Sequence, residues 1–313
     1  MLFLNTTIDG LELGLCYAII ALGMYIAYSV LDFPDLTTDG TFPLGGVVGT
    51  ILIYNAHLHP LVALLGAFVA GMAMGALTGV LHVKFGISKL LSGIIVMTAL
   101  LSVTLALTMV LTGNGFTTTN FSYTAHGFGG LFNSADGGVL SEGTVIAILL
   151  AVVVIIKLVM DVFFKTKVGF MLTATGNNET LITYLGKDAG TYKILGLALA
   201  NGLVAFGGGL YAQLTMNYDN TSGSGKVVLA LASVIIGLAI FSKAKWVKDT
   251  TAVIVGAVIY TLCLNYFTII DQNGTYLKIM NAACFALILV INNQLKKNRV
   301  KAAKAIGNEV NHR

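Results

Sequence analysis

Long apolar runs alternate with short polar breaks along this chain, and run length carries most of the information. Seven runs approach or exceed the roughly 20 residues a helix needs to cross ~30 Å of hydrocarbon. They are Leu11–Leu31, Leu61–His82, Leu90–Leu111, Thr144–Phe164, Ile194–Thr215, Thr251–Ile270 and Tyr276–Asn292. Two further runs, Gly40–Tyr54 and Val227–Phe241, are short. At 1.5 Å per residue each gives only about 22 Å of helix. The first follows Asp35-Leu-Thr-Thr-Asp-Gly40 and the second follows Asp219-Asn-Thr-Ser-Gly-Ser-Gly225. Both predict discontinuous or re-entrant helices. The predicted fold class is therefore all-α, a polytopic membrane helical bundle, with one transmembrane domain over residues 1–295 and a basic tail over 296–313.

Composition sharpens this. Of 313 residues, 56% are apolar and 10% charged, with a mean hydropathy of +0.86. A soluble domain carries about 25% charged residues, and a disordered chain has low hydrophobicity with high charge. Both classes are excluded. The short aqueous loops leave no room for a soluble catalytic domain. The net charge of +4 is a topology signal rather than a nucleic-acid footprint. With the C-terminus placed in the cytoplasm, 15 of the 18 basic residues fall on the inner side, among them Lys165, Lys167, Lys187, Lys193, Lys248 and Lys296. Lys226 and Lys278 fall outside, and Lys157 lies within a span. That satisfies the positive-inside rule. The N-terminal side depends on whether Gly40–Tyr54 crosses fully or re-enters. Residues 1–7 lack the basic region of a cleavable signal peptide. Cys16, Cys263 and Cys284 lie in apolar runs, which predicts buried free thiols rather than a disulfide framework.

Several segments carry candidate function. Interrupted helices in corresponding positions of two halves point to a translocation path, because their broken ends expose backbone groups that only protein or a wet cavity can satisfy. The path candidates are Asp35, Thr37, Thr38, Asp39, Asn201, Ser222 and Ser224. The same residue types also suit caps and turns. The inner loop from Lys165 to Lys193 predicts a turn at Thr175-Gly176-Asn177, then a short helix over 178–185 capped by Asn177 or Asn178 and closed by Gly186. Leu181, Ile182 and Leu185 would share one apolar face, suited to a groove on another protein or to the membrane surface. The outer loop from Gly113 to Gly143 has no basic residue and is either a docking surface or a linker. Gly71, Gly75 and Gly79 repeat at four-residue spacing and predict close helix packing, within the chain or between copies. Lys157 and Asp161 suit an i, i+4 pair. His57 and His59 have no third ligand nearby, and no metal or catalytic cluster is evident. Gly225-Lys226 does not make a Walker A loop, since Asn220 and Val227 occupy the positions of its first glycine and its hydroxyl.

The order of these segments carries a family resemblance. Gly169 onward, with Ala174-Thr-Gly-Asn-Asn-Glu179 and Tyr184-Leu-Gly186, resembles the cytoplasmic coupling loop of bacterial ABC importer permeases that serve branched-chain amino acids, ribose-type sugars and nucleosides. Tyr17 to Leu31 is similar to the first core helix of the amino-acid permeases. Asp35 to Gly46 is similar to the segment after it, and Ala200 to Ala212 with the break and Val227 to Leu238 also agrees. Leu36-Thr-Thr-Asp-Gly40 departs from the Asn-Phe-Ala-His-Gly type segment of the branched-chain permeases and is closer to a branch that carries aromatic amino acids. The resemblance implies a type II importer permease that forms the path for a small solute, an amino acid, in the bacterial inner membrane. It implies no catalysis and no cofactor in this chain, with ATP and magnesium on a separate ATPase subunit. The implied partners are a second permease copy, two ATPase subunits and an extracytoplasmic binding protein. Thr175, Gly176, Asn178, Glu179, Leu181, Ile182, Leu185 and Gly186 would couple to the ATPase. The competing expectation is a secondary transporter driven by an ion gradient. That class carries ionisable residues deep in its spans, and the spans at 61–82, 90–111, 194–215 and 251–270 have none between their ends.

Overall fold

The computed structural model describes residues 2–112, 118–120, 131–132, 140–243, 246–270 and 279–290. In chain order the helices are α1 (Leu2–Met24), α2 (Thr38–Tyr54), α3 (Pro60–Val83), α4 (Lys89–Thr112), α5 (Glu142–Phe163), α6 (Lys167–Asn177), α7 (Glu179–Tyr184), α8 (Ala189–Thr215), α9 (Lys226–Ile240), α10 (Asp249–Ile270) and α11 (Ile279–Val290). Two three-residue strands, β1 (Thr118–Asn120) and β2 (Asn217–Asp219), pair antiparallel, with Thr119 opposite Tyr218. They tie part of the outer loop to the chain just before α9. Residues 113–117, 121–130 and 133–139 of that loop, read from the sequence as a docking surface or a linker, lie outside the described residues, as do the tail 296–313 and the ends of the predicted Tyr276–Asn292 span.

Among the described residues seven helices are long and apolar enough to span a membrane, and the set differs from the sequence expectation by one exchange. A 3-10 turn, Asn220–Gly223, extends the short α9 run to Asn220–Ile240. The last predicted span appears only as the short α11.

The breaks have local causes. After Met24 the backbone loosens into a π-helical turn, Tyr25–Val30, where Leu31 N donates to Ile26 O at 3.0 Å. The helix stops at Asp32, whose φ of +51° lies in the left-handed region. An irregular stretch, 31–37, climbs back into the bundle before α2 starts. Gly225 sits at φ +85° between the 3-10 turn and α9, a conformation glycine adopts without steric cost.

Helix directions follow from antiparallel neighbours. Thr7 Oγ1 meets Tyr266 Oη at 2.8 Å, while Tyr25 Oη reaches Asp249 Oδ2 at 3.3 Å, so α1 runs opposite to α10. Likewise α1 and α3 both run opposite to α8. The N-terminus of α1 is therefore at the end of the bundle away from α6 and α7, and residues 31–54 complete a crossing between α1 and α3. Consequently α1–α2–α3 and α8–α9–α10 are two long–short–long units of opposite orientation. Their short helices begin near the middle of the bundle.

The core centres on α1 and α8, the most enclosed spans, while α4 and α5 turn most of their surface outward. Small residues make this possible. Gly71, Gly75 and Gly79 face Asn201, Leu197 and Ile194 of α8 so closely that an added Cβ would strike backbone atoms. The repeat thus packs within the chain. The cysteines divide: Cys16 is buried and Cys284 intermediate, but Cys263 is exposed, contrary to the expected burial, because α10 turns that face outward.

Candidate functional site

The first break builds a buried polar node. Asp35 has no exposed surface. Its Oδ1 accepts from Thr37 N at 2.9 Å, and its Oδ2 from Asn201 Nδ2 at 2.6 Å. Asn201 Oδ1 in turn accepts from Thr41 Oγ1 at 2.9 Å, and Thr37 Oγ1 pairs with Thr78 Oγ1 at 2.8 Å. Thr38 Oγ1 donates to Asp35 O at 3.1 Å. A carboxylate away from water is tolerated only when its lone pairs are engaged. Here Asn201 of α8 and the amide of Thr37 do this, while Thr78 of α3 holds Thr37 in turn. Four sequence candidates, Asp35, Thr37, Thr38 and Asn201, are thereby brought together with Thr41 and Thr78. All six side chains are buried.

Asp39 stands apart from this node and joins the second break. It lies in the first turn of α2, and its Oδ1 accepts from Val227 N in the first turn of α9 at 2.9 Å. One carboxylate thus serves the positive ends of both short helices. Pro43 has no amide to give Asp39 O, and that carbonyl lies against Gly223, where a Cβ would also meet Pro43 Cδ at 2.7 Å. Ser222 is half-buried in the 3-10 turn and Ser224 is exposed. Asn220 pins the turn to α4: its Oδ1 accepts from Thr104 Oγ1 at 2.5 Å and from Tyr218 Oη at 3.1 Å.

Lys226 corrects the sequence reading, which placed it among outer loop residues. It opens α9 and turns inward between α1, α2 and α8. Its Nζ donates to Tyr17 Oη at 2.6 Å and lies 4.2 Å from the Tyr17 ring centroid, 5.2 Å from that of Tyr211 and 5.4 Å from that of Phe42. Tyr17 and Tyr211 stack at 5.8 Å. Each cation–π contact contributes about 0.5–2 kcal/mol, more when desolvated. Tyr17, Phe42, Tyr211, Lys226 and Asn220 were not singled out from the sequence as site residues. The available signal was a lysine directly abutting an apolar run, with lone tyrosines inside two spans.

The segment between α5 and α8 also departs from expectation. Thr175, Gly176 and Asn177 are not a turn but the last residues of α6, a helix the sequence reading omitted. Gly176 fits there because it lies against Val30 O, leaving no room for a Cβ. The turn is one residue later. Asn178 Oδ1 caps α7 by accepting from Leu181 N at 3.3 Å, and Gly186 closes it at φ +69°. Leu181, Ile182 and Leu185 do not share one free face. Ile182 is buried and anchors α7, while Leu181, Leu185 and Tyr184 are exposed, Tyr184 by 89%. Thr175 is buried, and Glu179 ion-pairs with Lys193 on α8 at 2.7 Å. Nearby, Asp161 accepts from Lys157 at 3.1 Å and also from Lys248 at 2.8 Å and Thr250 at 2.7 Å, so the predicted i, i+4 pair is part of a larger hub. His59 caps α3 through Nδ1, accepting from Leu61 N at 3.3 Å.

Comparison with known proteins agrees with this architecture. A family profile described as branched-chain amino acid transport system / permease component matches residues 6–291. The tyrosine transport system permease protein of Clostridioides difficile (strain R20291) is 38% identical over 296 residues, covering 94% of each chain. An uncharacterized protein of Rickettsia prowazekii (strain Madrid E) is 30% identical over 88% of this chain and 94% of its own. The ribose import permease protein of Escherichia coli (strain K12) is 24% identical over 88% of this chain and 82% of its own. No solved structure matches the chain.

Proposed function

The chain belongs to the permease-component family of branched-chain amino acid transport systems, and from that premise we propose that it is the membrane-spanning subunit of an ATP-driven importer for an amino acid with an aromatic side chain. The observation that carries this reading is its likeness, over 94% of its length, to a tyrosine transport permease. Two copies would flank the path in the bacterial inner membrane, with the basic C-terminus in the cytoplasm. An extracytoplasmic binding protein would deliver the substrate. The chain needs no cofactor of its own in this scheme, since ATP and magnesium belong to two ATPase subunits.

Those subunits would grip α7. Leu181, Tyr184 and Leu185 project from it, while Asn178, Gly186 and Ile182 hold its two ends and its root. An apolar tip on a polar-capped helix suits a groove on a partner. The path would lie where α2 and α9 begin, with Asp39, Ser222 and Ser224 beside it. Asp35, Thr37, Thr38 and Asn201 would set the position of α2 from behind, because their polar atoms are spent on each other.

The test is co-expression with the neighbouring genes, capture on a C-terminal tag and uptake in proteoliposomes. The expected result is one ATPase per permease and L-tyrosine uptake that needs ATP and the binding protein. A chain that purifies alone and takes up solute on an ion gradient without ATP would refute the reading.

A further inference from the structure

Lys226 is a cation that packing alone does not call for. It sits at the head of α9, inside a candidate span, where methionine or leucine would fill the same space. An ionisable group at such depth is expensive to keep and is a functional-site hypothesis by default. Among the described residues no carboxylate lies within 4.0 Å of its Nζ. Its hydrogen-bond acceptor is the neutral Tyr17 hydroxyl, where the charge calls for an anion. Asp39, the nearby acid, has Oδ1 engaged at 2.9 Å by the amide of Val227, the residue after Lys226. Lys226, Asp39 and Tyr211 are each partly exposed, with Tyr17 and Phe42 buried behind them, so the group is open on one side. It lies where two interrupted helices of opposite orientation begin.

We propose that Lys226, Asp39, Tyr17, Tyr211 and Phe42 form a resting subsite for a zwitterionic amino acid with a flat aromatic side chain. The α-carboxylate would take the Lys226 ammonium from the Tyr17 hydroxyl. The α-ammonium would face the Asp39 carboxylate. The side chain would lie against Tyr211, the partly exposed ring, which the buried Phe42 backs at 5.5 Å between centroids. A zwitterion matches the site's opposite charges and adds no net charge to the bundle. An amine without the carboxylate brings a second cation to Lys226, and an acid without the amine brings an uncompensated anion towards Asp39. This subsite rests on the proposed amino-acid permease function and names the contacts that function needs.

The test uses the permease–ATPase complex in nanodiscs without the binding protein, probed by saturation-transfer NMR. The probes are L-tyrosine, tyramine and 4-hydroxyphenylpropionate. Wild type is expected to bind L-tyrosine at least tenfold better than either analogue. Lys226→Met should weaken L-tyrosine at least tenfold and lose the discrimination against tyramine. Asp39→Asn keeps one oxygen for the Val227 amide, and an unchanged melting temperature of the variant complex checks its fold. It should shrink the preference for L-tyrosine over 4-hydroxyphenylpropionate at least tenfold, and this arm decides the matter if Lys226→Met does not assemble. Unchanged selectivity in Asp39→Asn, or no L-tyrosine signal on wild type, overturns the subsite. The two readings fail separately. ATP-driven L-tyrosine uptake with selectivity unchanged in Asp39→Asn refutes the subsite alone, whereas no ATP-driven uptake of any amino acid by the full transporter refutes the permease reading beneath it.

Discussion

Asn201→Leu is the substitution that most directly measures what holds the first break in place. Leucine keeps the branched shape and heavy-atom count of asparagine and adds methyl bulk, so the main loss is polar with a smaller overpacking cost. Three hydrogen bonds disappear: to Asp35 Oδ2 at 2.6 Å, from Thr41 at 2.9 Å and to Leu197 O at 3.1 Å. The third is redundant, because a helical carbonyl has its own amide donor. The first is charge-assisted and is worth about 1.5–3 kcal/mol, and the second about 1 kcal/mol. Interhelical hydrogen bonds in membranes average only about 0.6 kcal/mol, with a maximum near 1.7, because an unfolded chain in lipid finds other partners. Asp35, however, has no exposed surface and keeps its charge site inside the bundle. Weighing the two, Asn201→Leu should cost about 2–4 kcal/mol. Reversible denaturation in mixed micelles, followed by circular dichroism, measures it. Adding Asp35→Asn removes the stranded charge, so the double variant should lose at least about 1 kcal/mol less than the sum of the singles. A single variant within about 0.5 kcal/mol of wild type, or additive singles, would refute the reasoning.

Three further outcomes are expected. Leu185→Asp should leave the melting temperature unchanged and abolish ATPase co-purification, whereas Ile182→Ala, at the buried root of α7, should cost about 2–4 kcal/mol; equal effects of the two on stability would contradict the assigned faces. Gly79→Val would bring a Cβ within 2.7 Å of Ile194 Cα and should destabilise by about 1–3 kcal/mol, read in the same denaturation assay. Asp188 caps α8, and the hydrogen bond from Thr191 Oγ1 (2.8 Å), then that from Gly190 N (2.9 Å), holds its carboxyl below the usual range. Its contribution is therefore present above the ordinary carboxylate pKa and lost as pH falls through the lower folded value. The difference in melting temperature between wild type and Asp188→Asn should shrink on acidification from neutral pH into that range, and a constant difference would show that the cap does not titrate.

The bundle was legible because span length is a property of composition, and the two breaks were legible because runs of Gly, Ser, Thr and Asp precede both short apolar stretches. The coupling segment was half legible. Asn178 and Gly186 announce the ends of α7, but Gly176 reads as a turn residue unless Val30 is known to lie against it. Ile182 and Leu185 are indistinguishable by hydrophobicity, and only the tertiary contact of α7 with the bundle separates anchor from tip. Lys226 was misplaced for a related reason. Charge counting assigns a lysine beside a polar break to water, and no local pattern shows that Tyr17, 209 residues earlier, supplies an acceptor. Asp35 and Asn201 were both marked as path candidates, yet their pairing across 166 residues turns them toward each other instead.

The placement of Gly176 has a mechanical consequence. A load applied at α7 would meet two attachments. One is the Glu179–Lys193 ion pair, which passes force along α8. The other is α6, whose last turn bears on Val30 at the end of the π-helical turn after α1, two residues before the left-handed Asp32. The stiff helix above that point and the irregular residues below it form an arm and its pivot. In the proposed scheme a displacement of α7 would reach the stretch that positions α2 through α6 and the end of α1.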